Sequence, residues 1–268
     1  MYPNREVFRQ APLALVAAEI RFTDAARLRQ RQTKDEVAIA LEERFPFAEP
    51  LQQTSVNLTQ GAQPEIAQRV GVVLKNPTST ESLTIMSESL TYETTAYTTF
   101  DDLLQAVTAA CDALIGAEVR PAMRRVGLRY VDEVRAPEAI TDARQWGKWI
   151  DHRLVDQLEV GPDDVSATTA QSVITYDLGE GKGFNFRYAA LNQGPIVAPQ
   201  FLKRPPIESG PFFVLDFDGF QDFTGGQSVS LNSATVREIL SAVHIPCGTA
   251  FQRSITDEAR TLFRGSQS

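Results

Sequence analysis

Residues 70–97, VGVVLKNPTSTESLTIMSESLTYETTAY, hold three β-leaning runs, VGVVLK, SLTIM and LTYETTAY. They are rich in Val, Ile, Thr and Tyr, which suit a pleated, half-buried surface, and they are broken by Asn76-Pro77 and a Ser-Glu-Ser stretch. The pattern predicts an antiparallel meander. Upstream, LALVAAEIRF at 13–22 alternates, with Val16, Ala18, Ile20 and Phe22 on one face and Glu19 and Arg21 on the other, the period of a half-buried strand. Between these segments, Thr33-Lys34-Asp35-Glu36 reads as a capping box opening a helix whose face is Val37, Leu41 and Phe45, ending at Pro46.

Downstream, the stripe Leu103, Val107, Cys111 and Leu114 has helical spacing, with Gly116 near its end. Residues 124–135 return to strand, with Val126, Leu128 and Tyr130 on one face and Arg125, Arg129 and Glu133 on the other. A helix carrying Trp146, Trp149 or Ile150, and Leu154 opens the second half. Ser172–Asp177 and Phe184–Ala190 then flank the turn Leu178-Gly179-Glu180-Gly181-Lys182-Gly183 and read as a hairpin. A proline-rich loop at 195–211 leads into the apolar run Phe212–Phe220. Helices follow from Ser233 to Phe263, with an interruption predicted near Pro246 and Gly248. Short strand runs between helices, without strict βαβ alternation, predict an α+β fold with largely antiparallel sheet. Two related α+β lobes are expected, at 1–136 and 137–268, or one continuous domain.

The 268 residues, 43% hydrophobic and 22% charged, lie in the globular range. A net charge of -8 argues against non-specific nucleic-acid binding, which depends on neutralising phosphates. No apolar run reaches the ~18 residues of a membrane span, and the N-terminus lacks a signal-peptide layout, so no membrane association and a cytoplasmic location are expected. Cys111 and Cys247 stand far apart beside apolar neighbours and read as small buried thiols, both reduced.

Four stretches carry a likeness: ALVAAEIRF at 14–22, RRVGLRYVDEV at 124–134, FFVLDFDGF at 212–220, and His244, Phe251 and Ile255-Thr256-Asp257-Glu258. Together they resemble a sporadically distributed family of bacterial proteins of similar length and unassigned function. The likeness spans nearly the whole chain and is closest at the C-terminus, where the family pattern resembles one continuous helix. Pro246 and Gly248 depart from it. The resemblance implies an accessory protein, and the patchy distribution implies a role in mobile-element conflict or host defence. It supplies no reaction and no catalytic residue.

Phosphate-loop, nucleophile-elbow and zinc-protease motifs are absent, and Gly179–Gly183 joins two strands rather than opening a helix. No cofactor is implied. His244 can act as base or ligand near neutral pH, yet at the end of an apolar stripe it also fits as a packed residue or dipole partner. Arg125 and Arg129, with Arg120 and Arg124, could bind an acidic partner. Alternatively, Arg129 and Glu133 pair across the ladder with Glu19 and Arg21. Asp216 and Asp218 share a strand face and are the best metal candidates, with Asp222 shortly beyond. No His or Glu completes the set within the run, so two hydrated aspartates at a strand end are expected instead.

The missing chemistry points first to a non-enzymatic interaction module, such as an adaptor, immunity or antitoxin-like component, with a protein partner or self-association. The alternative is a small apolar ligand-binding protein with a pocket lined by Phe184, Phe186, Phe213, Leu215 and Phe217. A metal-dependent hydrolase or nuclease built around Asp216 ranks third. The binding candidates are Arg125, Arg129, His244 and Asp257.

Overall fold

The computed structural model describes residues 6–57, 65–194, 201–206, 209–223 and 229–265, with side chains described outside 53–69. Of the proline-rich loop expected at 195–211, residues 195–200 and 207–208 lie outside that set. The described elements are β1 (Leu13–Phe22), α1 (Arg31–Ala40), β2 (Phe47–Asn57), β3 (Glu65–Lys75), β4 (Glu81–Met86), β5 (Ser89–Thr94), α2 (Phe100–Gly116) and β6 (Ala122–Val134). Then come α3 (His152–Val155), β7 (Ala170–Gly179), β8 (Lys182–Leu191), β9 (Phe212–Asp222), β10 (Val229–Ser230), α4 (Ser233–Ser254) and α5 (Asp257–Arg264). The fold is α+β, with a ten-stranded sheet in the order β2-β3-β4-β5-β1-β6-β9-β8-β7 and β10 added to β6. Every pairing is antiparallel.

The meander appears as β3, β4 and β5. The hairpin turn lies at Gly179-Glu180-Gly181, all three with positive φ (78°, 54° and 77°), the backbone that tight right-twisted hairpins require. One sheet face is covered by helices. α4 lies across β9, β6 and β8 and packs on α2, which packs on α1. The predicted stripe Leu103, Val107, Cys111 and Leu114 is fully buried in this layer. On the opposite face, Leu202 packs with Leu15, Val131, Phe212 and Val214, and the backbone N–H of Lys203 donates to the carbonyl of Ser79 at 2.7 Å.

Three local expectations are corrected. α1 starts at Arg31 with no side-chain cap, and Thr33 is buried rather than capping. A preceding 3-10 turn at Ala26–Arg29 already fixes the chain direction by burying Leu28. The helix expected around Trp149 is broken into 3-10 turns, Ala143–Lys148 and Asp156–Val160, around the four-residue α3. α4 runs unbroken through Pro246 and Gly248, and the interruption falls at Ile255-Thr256. Tertiary contact holds α4 together: a Cβ added at Gly219 of β9 would meet the Val243 carbonyl at 2.8 Å and Cys247 Sγ at 3.2 Å. Helix and strand therefore touch through a gap only glycine leaves, and that packing outweighs one lost backbone hydrogen bond.

Both halves of the chain follow one path: a central strand (β1 or β6), a helical segment, a meander returning from the sheet edge (β2–β5 or β7–β9), then a long helix (α2 or α4). The two central strands pair with each other, Val16 opposite Tyr130. Aligned along this path, Ile20-Arg21-Phe22-Thr23-Asp24 matches Leu128-Arg129-Tyr130-Val131-Asp132, and LLQAV-TAA-C at 103–111 matches ILSAV-HIP-C at 239–247. The path repeats from Ala122, the start of β6.

Candidate functional site

Alternate residues of β6 point at the helix layer: Val126, Leu128, Tyr130, Asp132 and Val134. All are buried, and four of the five are the apolar or amphipathic groups such a position wants; Asp132 is the exception, at 4% exposed. No hydrogen bond or ion pair reaches its carboxyl from any described residue. Burial, reinforced by the negative charge of Asp216 behind it, pushes the Asp132 carboxyl up to about 8.

Opposite this end of β6 the ladder to β1 is irregular, with a register shift between Leu13 and Leu15. A cavity of about 280 Å³ opens there, and Asp132 lines it together with Tyr97, Tyr130, Phe217, His244 and Phe251. The chain segment from Glu6 to Ala11 passes over it. That segment is pinned by Phe8, which packs edge-on to Phe251 and Phe263 with centroids 6.2 and 5.7 Å apart, and by the Gln10 N–H donating to the Phe263 carbonyl at 2.9 Å. At the mouth, Arg264 holds Glu6 at 2.5 and 2.9 Å, and Arg9 is exposed. The volume lies just below the ~300–1,000 Å³ typical of ligand pockets.

The imidazole of His244 stacks on Phe100 (centroids 4.0 Å apart, planes 7° apart) and shares a 2.9 Å hydrogen bond between Nδ1 and the Tyr130 hydroxyl. Tyr97 meets Tyr130 edge-on at 5.8 Å. His244 is thus held in a defined orientation in mid-helix, rather than at the helix end expected from sequence. Cys247 also lines the cavity, and burial raises its thiol far above the ordinary range, so it is not a nucleophile there.

The remaining sequence candidates lie elsewhere. Arg125, Arg129, Asp216 and Asp218 occupy the opposite sheet face. Arg129 forks onto Asp216 at 2.7 and 2.8 Å, and Arg187 approaches the same carboxylate at 3.6 Å. Arg125 lies 3.6 Å above the Phe220 ring and bridges Asp218 (3.6 Å) and Asp222 (3.2 Å). The Asn185 amide donates to Asp218 at 3.2 Å. The expected cross-ladder pairing is corrected: β1 does neighbour β6, but the register sets Arg129 opposite Ala17 and Asp218, and Asp216 lies within its reach. Glu133 pairs with Arg204 at 2.7 Å and Arg135 at 3.2 Å. The expected hydrated strand end is corrected too, since Asp216 is 5% exposed and satisfied by arginine. Among the described residues no group of three or more His, Cys, Asp and Glu is placed to hold a metal ion. Asp257 is fully exposed in the first turn of α5 and does not line the cavity. Phe184, Phe186, Phe213 and Phe217, expected around a pocket, stack in series within the core, Phe186 on Phe217 at 4.9 Å and Tyr188 on Phe213 at 6.3 Å; Phe217 alone of them reaches the cavity.

Among the described residues no helix is long and apolar enough to cross a membrane. Compared with known proteins, the chain matches no family model and no curated sequence.

Proposed function

We propose that this protein binds a small organic molecule in the cavity beneath α4. The observation that carries the reading is Asp132, a buried carboxyl with no partner among the described residues, set into a cavity whose lining is largely aromatic, apolar and uncharged polar, with Glu6 and Arg9 on the segment that passes over it. Ligand pockets combine such walls with a few polar groups that fix orientation, here Asp132 and the oriented Tyr130–His244 pair. A perturbed titratable group in a cleft adds weight. In the accessory or defence setting that the resemblance implies, the chain would be a ligand-responsive component. The test is native mass spectrometry of freshly purified protein, followed by a fragment screen with Leu13→Trp, which fills the cavity. A molecule bound by wild type and lost in the filled variant supports the reading. No retained molecule, and no fragment sensitive to Leu13→Trp, contradicts it.

The interaction module anticipated from the sequence keeps one specific support. β7 is a sheet edge exposing Val173 (65%), Tyr176 (45%) and Leu178 (47%). An unprotected edge of that kind can accept a strand from a second chain. Sedimentation of wild type and Val173→Lys tests this: self-association that the lysine abolishes favours it, and a monomer at high concentration counts against self-pairing. The hydrolase reading loses ground, because the carboxylate it depends on, Asp216, is engaged by Arg129.

A further inference from the structure

Resting on the ligand-binding reading above, we infer that the ligand is a small organic cation, a primary or secondary ammonium on a short aliphatic or single-ring body, held with its charge on Asp132. Three observations select this class.

The first is charge. Among the described residues Asp132 is the one acid inside the cavity that no basic group engages; Glu6 at the mouth is committed to Arg264, and Arg9 is exposed there. No lysine or arginine lines the cavity from β6, β9, α4 or the 94–98 segment, and Asp216, although paired with Arg129, adds a negative contribution behind the carboxyl.

The second is the walls. Tyr97, Tyr130, Phe217 and Phe251 line the space. Ring faces attract a cation brought out of water, and the same rings cover an apolar body.

The third comes from comparing the two halves. The position matching Asp132 is Asp24, which is exposed and paired with Arg29; the position matching Tyr130 is Phe22; and the position matching His244 is Thr108, whose hydroxyl is spent on the Leu104 carbonyl at 2.7 Å. The shared path therefore accommodates these positions without an open carboxyl. Among the described residues, the second half alone combines a buried acid without a partner, a tyrosine hydroxyl and an imidazole around a cavity. An ammonium ion supplies the counter-charge that Arg29 supplies to Asp24.

Ammonium binding at such a carboxyl has a pH signature. In the empty cavity the carboxyl is protonated at neutral pH, since burial raises it to about 8. Binding an ammonium ion needs the carboxylate, so each binding event displaces one proton from Asp132. Affinity must rise about tenfold per pH unit up to about pH 8 and level off above it, until the amine itself deprotonates. The other titratable groups facing the site are Tyr130 on β6, His244 and Cys247 on α4, Tyr97, and Glu6 and Arg9 at the mouth. Of these side-chain types only an imidazole ordinarily changes charge near neutral pH.

The experiment is isothermal titration of the full chain with butylammonium, benzylammonium and phenethylammonium, beside benzyl alcohol and benzoate, at pH 6, 7 and 8. Wild type is compared with Asp132→Asn and, to separate the imidazole, His244→Gln. Near-UV circular dichroism confirms that each variant is folded. We expect at least one ammonium probe to bind wild type, to tighten about tenfold per pH unit, to keep that slope in His244→Gln and to lose binding at least tenfold in Asp132→Asn. Binding of benzyl alcohol or benzoate, equal in wild type and Asp132→Asn, would overturn the cation inference while leaving the ligand reading intact. Failure of every probe, charged or neutral, would count against both.

Discussion

Asp132→Asn should make the protein more stable, and increasingly so as the pH rises. The wild-type carboxyl titrates near 3.8 in an unfolded chain and at about 8 when folded. Its protonated form therefore favours the folded state, a contribution fully present below about pH 4 and lost progressively as the pH climbs to about 8. Between those limits the folded protein holds a proton that the unfolded chain has released. Stability then falls by up to about 1.4 kcal/mol per pH unit. Over pH 5 to 8 this is an upper bound of about 4 kcal/mol, and water entering the cavity reduces it to about 2–4 kcal/mol. Asparagine keeps the shape and does not titrate, so any cost of its own buried amide is the same at every pH. The assay is urea unfolding of both proteins at pH 5, 6, 7 and 8. The difference in unfolding free energy should grow by about 2–4 kcal/mol across the series, in favour of the variant. A difference that is flat, or that shrinks with pH, would refute the claim that Asp132 is buried without a partner.

Three further outcomes follow from the same geometry. Gly219→Ala should cost about 1–3 kcal/mol in chemical denaturation, because the new methyl meets the Val243 carbonyl at 2.8 Å and neither strand nor helix can retreat without opening the core. Arg129→Ala should cost about 2–3 kcal/mol, at or below the low end for breaking a buried pair, since Arg187 remains 3.6 Å from Asp216; adding Asp216→Leu should recover most of the loss. In native protein neither Cys111 nor Cys247 should react with a thiol reagent, and both should react after denaturation, because both are free and buried and burial raises the Cys111 thiol to about 12.

The strands and helices of the sheet were legible in the sequence where one residue pattern served one purpose. The alternation of Val16, Ala18, Ile20 and Phe22 and the stripe from Leu103 to Leu114 each report a single buried face, and both are buried as expected. The antiparallel character followed from short breaks at Asn76-Pro77 and at the glycine turn. Pro246 misled because a helix interior disfavours proline locally, whereas the contact of α4 with Gly219 is visible only once strand and helix are packed. The pairing of Arg129 was misplaced because sequence identifies a strand's neighbours without its register, and Asp216 sits on the other flank of β6. Asp132 does carry a signal in the sequence: in Leu128-Arg129-Tyr130-Val131-Asp132 it occupies the apolar face two residues beyond Tyr130, where an acid breaks the pattern. His244 was singled out for its chemistry, but its partner Tyr130 lies 114 residues away and only the fold joins them.

The most direct test of the account is carbon-13 NMR titration of the Asp132 carboxyl in the intact protein, assigned by difference from Asp132→Asn. The expected result is a single transition near pH 8 without ligand, moving to lower pH when the cavity holds an ammonium probe. A transition near pH 4 in the ligand-free protein would show that the carboxyl is hydrated or paired, and would contradict the assignment of this cavity as the binding site.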